Sequence, residues 1–185
     1  LGYKKRSNFS IEVTYRPNDR LKFSLEPYLG FNNNEIQYVT TEEFAGKDEY
    51  ILAEIEQQTF VMEFRIDYSF TPDLSLQFYG QPFISSGKYS NFKRVVNSTA
   101  KSYEDRFEII HPDADYNVDL DENGSNDIEI SNPDFKFIYF QSNMVLRWEY
   151  LPGSTVFLSA KVCAIASQNA CQLKAIKFRF SFSIC

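Results

Sequence analysis

A chain of 185 residues is long enough for one domain. Its 43% hydrophobic content is too high for a disordered chain, and 18 Phe and 12 Tyr favour β-structure. A net charge of −6 argues against a nucleic-acid partner, since phosphate binding wants a basic face.

No apolar run approaches the ~18 residues of a transmembrane helix. The opening residues, Leu1-Gly2-Tyr3-Lys4-Lys5-Arg6, lack the apolar core of a signal peptide. The chain is therefore expected to be a fragment of a longer protein. Cys163, Cys171 and Cys185 fit no metal spacing and are assigned no role. The single histidine, His111, has nothing near it in sequence to make a catalytic pair.

Taken in order, Phe9, Ile11, Val13 and Tyr15 alternate with polar residues and predict a strand. Arg16-Pro17-Asn18-Asp19 is a turn. Leu21, Phe23, Leu25, Pro27, Leu29 and Phe31 form a second apolar stripe, with a bulge expected at Pro27. Asn32-Asn33-Asn34 reads as a bulge or break before Ile36 to Thr41 continues the strand. Residues 42–49 read as a polar loop. From Tyr50 a long strand runs to Phe70, and Phe60, Met62, Phe64, Ile66, Tyr68 and Phe70 hold a period of 2 over it. Thr71-Pro72-Asp73 turns the chain into Leu74, Leu76 and Phe78. A long polar insertion is expected over 86–132. Ile138, Phe140, Met144, Leu146, Trp148 and Tyr150 mark another strand, and Leu151-Pro152-Gly153-Ser154 turns it into Thr155 to Val162.

Each tight turn follows an aromatic residue: Tyr15, Phe70 and Tyr150. Tight turns alternating with longer connections describe an antiparallel up-and-down meander, and outer-membrane barrels show the same asymmetry. A soluble β-sandwich also alternates. Two features favour the barrel. The runs are longer than the ~5–6 residues usual in soluble strands. The charges Glu12, Lys22, Glu26, Glu63, Arg65, Asp67, Arg147 and Glu149 keep to one face, as a lipid-facing surface requires. The fold expected is all-β, a partial transmembrane β-barrel with a long external loop. Its strands lie within residues 1–162, and 163–185 form an atypical tail with room for one further strand. The lipid of the outer membrane is the expected partner, and nucleic acid is not.

The run LAEIEQQTFVMEFRIDYSFTPDLSLQFYGQPFISSGKYSNFK, with NPDFKFIYFQSNMVLRWEYLPGSTVFL, resembles the C-terminal barrel of a family of large secreted proteins. These occur in Bacteroidetes-like Gram-negative bacteria and pair an N-terminal carbohydrate-binding module of the family 9 type with a C-terminal domain of uncharacterised function. The resemblance covers about residues 1–158. It implies an outer-membrane location and a sugar-binding part that lies outside this chain. It implies no catalytic residue here. After Leu158 the tail has no Asp or Glu and holds all three Cys, a departure from the family's pattern.

One stretch resembles a ligand loop. Asp119, Asp121, Asn123 and Gly124 match the first half of an EF-hand-type loop, with Ser125 and Asp127 as further oxygen donors. The match fails at the twelfth position, Ile130, where a bidentate Glu is required. The alternatives are a solvated acidic loop tip and a weak structural Ca²⁺ site. Residues i and i+4 of one strand, such as Glu63 and Asp67, stand ~13 Å apart, too far for a glycosidase pair without a cross-strand partner, so Glu63, Asp67 and Glu149 read as a charge network with Arg65 and Arg147. Trp148 falls on the apolar face and reads as a lipid-facing or girdle residue. The function expected is a membrane anchor or pore for a carbohydrate-binding protein. The alternatives are a soluble all-β carbohydrate-binding module and part of a glycan-active hydrolase.

Overall fold

The computed structural model describes residues 3–167 and 170–184, with side chains in the last strand described at Lys177 and Arg179. The elements are β1 (Lys4–Ser10), β2 (Val13–Asn18), β3 (Leu21–Phe44), β4 (Lys47–Thr71), β5 (Leu74–Val95), a 3₁₀ turn (Glu104–Arg106), β6 (Phe107–Ile109), β7 (Asn117–Val118), β8 (Ile128–Glu129), β9 (Phe135–Leu151), β10 (Ser154–Ser167) and β11 (Ala170–Ile184). The main sheet follows the path β1-β3-β4-β5-β9-β10-β11, with β2 also on β3 and β6 on β5. It is an antiparallel meander, as the alternation requires. No helix among the described residues is long and apolar enough to cross a membrane.

The turns obey local chemistry. Asn18 Oδ1 accepts the N–H groups of Arg20 and Leu21 at 2.9 and 3.0 Å, closing β2 into β3. Thr71 Oγ1 accepts Leu74 N–H at 3.0 Å. Gly153 adopts φ +82 after Pro152, and its N–H reaches Glu149 Oε1 at 3.1 Å.

Pro27 does not make a bulge. It sits inside a continuous β3, and the interruption falls on its partner, between β1 and β2 at Ile11 and Glu12. With Val13 paired to Leu25, Ile11 lies opposite Pro27, which has no N–H to return. Only a long bond from Ile11 N–H to Pro27 O remains, at 3.4 Å. The three asparagines do not break β3 either.

Contacts divide the chain into two compact units. Unit 2 comprises residues 8–30, 59–85 and 136–185. Among its described residues it is one sheet layer, built from β2, the first part of β3, the last part of β4, the first part of β5, and β9 to β11. β10 pairs with β9 along its length and with β11 on its other side. This register places Val156, Leu158, Ala160 and Val162 opposite Trp148, Leu146, Met144 and Ser142, and opposite Phe182, Phe180, Phe178 and Ile176. The apolar stripe thus continues from β9 onto β10, and the register brings apolar residue types of β11 to the facing positions.

Unit 1 comprises residues 1–7, 31–58 and 86–135. Two expectations fail here. The connection at 42–49 is not a loop. Ala45 and Gly46, at φ +51 and +74, form a two-residue turn between strands that run to Phe44 and restart at Lys47. The stretch 86–132 is not structureless. β5 continues to Val95 and pairs with β6, and β7 and β8 form a small hairpin of their own. This stretch supplies most of the fully buried core: Phe92, Ile110, Val118, Leu120, Ile128 and Ile130 close on Ile51 and Ala53 of β4. Burying each large side chain contributes about 1.5–3 kcal/mol. Asn91 at φ +50 adds one residue out of alternation, so that Tyr89 and Phe92, three apart, both reach this core.

Candidate functional site

Unit 2 has two unlike faces. On one, apolar residues are left open: Phe9 is 61% exposed, Tyr15 62% and Trp148 51%, with Val13, Leu29, Phe70 and Tyr150 also exposed. Phe64 lies over Gly80 of the neighbouring strand, where a Cβ would collide with its ring, and meets Phe78 in a tilted contact at 5.6 Å. Such packing joins strands within the sheet and leaves the outer side of the rings uncovered. Aromatics gather near the tight turns. Tyr68 and Phe70 meet edge to face at 4.7 Å, and Trp148 and Tyr150 at 6.0 Å.

Each stripe has sharp ends. In β4 it spans Phe60 to Phe70, and the same parity beyond it carries Gln58, Glu56 and Glu54. In β3 it spans Leu21 to Phe31 and is followed by Asn33 and Glu35. In β5 it spans Leu74 to Ile84 and is followed by Ser86 and Lys88. Eleven residues at ~3.3 Å per step, tilted ~45°, project to about 23 Å, close to the ~25 Å apolar band of outer-membrane barrels.

The other face of unit 2 is a hydrogen-bonded polar surface. Gln81 donates to Glu63 at 3.0 Å, and Gln141 donates to Gln81. The Arg65 guanidinium sits 5.1 Å from the Tyr79 ring centre and pairs with Glu63 at 3.4 Å. Arg147 pairs with Glu149 at 2.9 Å. Glu63 and Glu149 are thus each held by an arginine two residues along the same strand, and the structure does not assemble them with Asp67 into an acid–base pair. Two of the shallow cavities on this face share Lys22 and Arg65. One, of about 340 Å³, is lined by Glu12, Lys22, Ser24, Glu26, Glu63 and Arg65. The other, of about 260 Å³, is lined in part by Lys22, Arg65, Asp67, Gln77, Tyr79 and Asn143.

In unit 1 the acidic loop hangs between β7 and β8. Val118 pairs with Ile128, and the buried Leu120 and Ile130 tie both ends of the loop to the core. Carboxylate oxygens of Asp119, Asp121 and Asp127 lie within 4.8 Å of one another. They are held by the loop's own backbone. Leu120 N–H donates to Asp127 Oδ2 at 2.8 Å, and Gly124 N–H to Asp119 Oδ2 at 2.7 Å. Burial acts to raise the Asp119 pKa, but N–H bonds from Gly124, Asn123 and Glu122 outweigh it and hold the carboxyl below its ordinary value. Asn123 and Ser125 turn toward each other, with Asn123 Oδ1 accepting Ser125 N–H at 2.9 Å. The three carboxylates among the five expected ligands therefore converge, and Asn123 Nδ2 also donates to Asp121 Oδ2 at 2.9 Å. Gly124 takes φ +88, the conformation its place in the motif requires. His111 lies exposed in the connection after β6. Cys163 is a free thiol on β10, whereas the Cys171 side chain and Cys185 lie outside the described residues.

A comparison with known families matches residues 2–181 to a domain of unknown function, DUF5916. The chain belongs to this family. The match passes Leu158, where the sequence reading placed a departure, and takes in most of β11. No curated protein and no solved structure matches the chain. Sequence reasoning missed the polar-face residues Gln77, Tyr79, Gln81, Gln141 and Asn143. The alternation that identified the apolar stripes carried them at the intervening positions.

Proposed function

We propose that unit 2 is the lipid-embedded part of an antiparallel β-barrel of the outer membrane, and that it serves as membrane anchor, or pore, for a carbohydrate-binding protein. The observation that carries this reading is the exposed apolar stripe. It recurs from strand to strand at the same length and ends at charged or amide residues, with every charge inside that band on the opposite face. In water such a surface is an aggregation hazard. In a bilayer it is the required exterior. Among the described residues the sheet's path ends at β1 and β2 on one side and at β11 on the other, and edges there need strand partners, because lipid offers no hydrogen bonds. Polar segments such as Asn33–Glu35 and Glu54–Gln58 belong in water. The sugar-binding association comes from the resemblance to proteins with a family-9-type module, and no residue of this chain is assigned to a sugar.

The single tryptophan makes the test direct. Trp148 fluorescence in lipid vesicles should be quenched by brominated acyl chains and protected from aqueous iodide. A chain that stays soluble and monomeric without detergent, with Trp148 quenched by iodide alone, fits a soluble all-β module and sinks the proposal.

For the acidic loop we propose a weak structural Ca²⁺ held by Asp119, Asp121 and Asp127. The converging carboxylates support it. The missing Glu at Ile130 limits its affinity to the weak end of such loops. Its purpose would be to order the β7–β8 hairpin, with no part in catalysis.

A further inference from the structure

The polar face of unit 2 is divided by charge. On β2, β3 and β4, with Glu12 just before β2, it is mixed: Glu12, Glu26, Glu63 and Asp67 against Arg16, Lys22 and Arg65. On β9, β10 and β11 it carries Arg147, Lys161, Lys177 and Arg179 against Glu149 alone. β5 between them contributes Gln77, Tyr79 and Gln81 and no charge.

Register fixes the basic half. Lys161 of β10 lies directly opposite Lys177 of β11, and opposite Asn143 of β9. Arg179 stands two residues beyond Lys177, opposite Ser159, on the same side of the sheet. Directly opposed residues have Cβ atoms about 4.5–5.5 Å apart, and residues two apart on a strand about 6.6 Å. Three cationic side chains are therefore rooted within about 7 Å of a common point. All three are exposed. Among the described residues none has a carboxylate within ion-pair distance, while Arg65 and Arg147 each do.

A like-charge pair directly across two strands opposes pairing of β10 with β11. A neutral or acidic residue at either position would remove that repulsion without altering the pleat. We propose that Lys161, Lys177 and Arg179 form a binding site for a multiply charged oxyanion, a phosphate- or carboxylate-bearing solute. An oxyanion converts the repulsion into bridging contacts, with ammonium groups supplying charge and the Arg179 guanidinium a planar fork of donors. The site lies on the face opposite the apolar stripe, so it meets solutes arriving through water. It depends only on register and charge and stands whether or not unit 2 enters a membrane.

The test uses the full chain in neutral detergent at low salt, with calorimetric titration of inorganic pyrophosphate and, separately, citrate. Saturable binding of at least one is expected, and which of them binds more tightly separates phosphate from carboxylate preference. Lys161→Gln and Lys177→Gln should each weaken it by about ten-fold, and raised salt should weaken it in the parent. Arg20→Gln makes the same charge change at the β2–β3 turn and should alter it less than about two-fold. Without anion, Lys177→Gln should melt at or above the parent's temperature, because a like-charge pair is gone. Should either glutamine variant fail to fold, Lys177→Met carries the same comparison. Absence of saturable binding by both anions overturns the site, as does equal weakening by Arg20→Gln.

Discussion

Ile66 is the residue at which the lipid-facing assignment can be tested hardest. It sits near the middle of the Phe60–Phe70 stripe and belongs to neither the Gly80 contact nor the aromatic pairs. On the proposed membrane reading the stripe projects to about 23 Å, which would put Ile66 within a few ångströms of the bilayer midplane. Arginine on the lipid face at that depth costs about 2–4 kcal/mol, roughly a 30- to 900-fold fall in the folded-to-unfolded ratio. Gln77→Arg puts the same charge on the exposed polar face of β5 and should change stability by under about 0.5 kcal/mol. The assay is equilibrium urea unfolding in lipid vesicles, read by Trp148 fluorescence. A loss at Ile66 confined to lipid, with none at Gln77, is the expected result. Equal losses at the two positions refute the assignment of faces. A loss at Ile66 of the same size in lipid-free buffer means that protein, not lipid, covers the stripe.

Gly80→Ala should lower stability by about 1–3 kcal/mol, because its Cβ displaces the Phe64 ring, and Phe64→Leu in the same chain should restore part of it; a double-mutant cycle measures the coupling. Ile130→Ala, at a side chain 1% exposed, should cost about 2–5 kcal/mol and open unit 1 to trypsin at Lys101 and Arg106. The Asp113 carboxyl is held below its ordinary value by the backbone and side-chain N–H groups of Asn117, with Asp115 N–H adding to them. A lowered folded pKa stabilises fully above the ordinary value and is lost as pH falls through the folded one. Amide protection of the β7–β8 hairpin should therefore persist near neutrality and decline below about pH 4, and an Asp113→Asn chain should lose that step. Millimolar Ca²⁺ should slow exchange at the Leu120 and Gly124 amides in the parent but not in Asp127→Asn; no slowing in the parent leaves the loop satisfied by its own backbone.

The stripes were legible because alternation is local. Phe60 to Phe70 declare a two-faced strand whatever lies beside them, and Thr71-Pro72-Asp73 declares where it turns. The acidic loop was legible in part: Asp119, Asp121 and Asp127 converge, but the bond between Asn123 and Ser125 depends on how the turn closes. The core of unit 1 was hidden in residues 86–132. Val118-Asp119-Leu120 and Ile128-Glu129-Ile130 each hold only two apolar positions, too few to mark a strand. Their partners, Ile51, Ala53 and Phe92, stand far off in sequence. Asn91 hid the site further by breaking the parity between Tyr89 and Phe92.

By itself the sequence determined the all-β class, the antiparallel meander, the turns and the two-faced strands, because φ/ψ preference and side-chain parity act between near neighbours. Tertiary structure decided what those neighbours could not carry. It placed Lys161 opposite Lys177, joined Glu63, Gln81 and Gln141 across three strands, moved the interruption at Pro27 onto the facing strand, and folded a polar-looking insertion around Ile51. Each of these depends on which strand lies beside which and in what register, and that is set by contacts between residues distant in the chain.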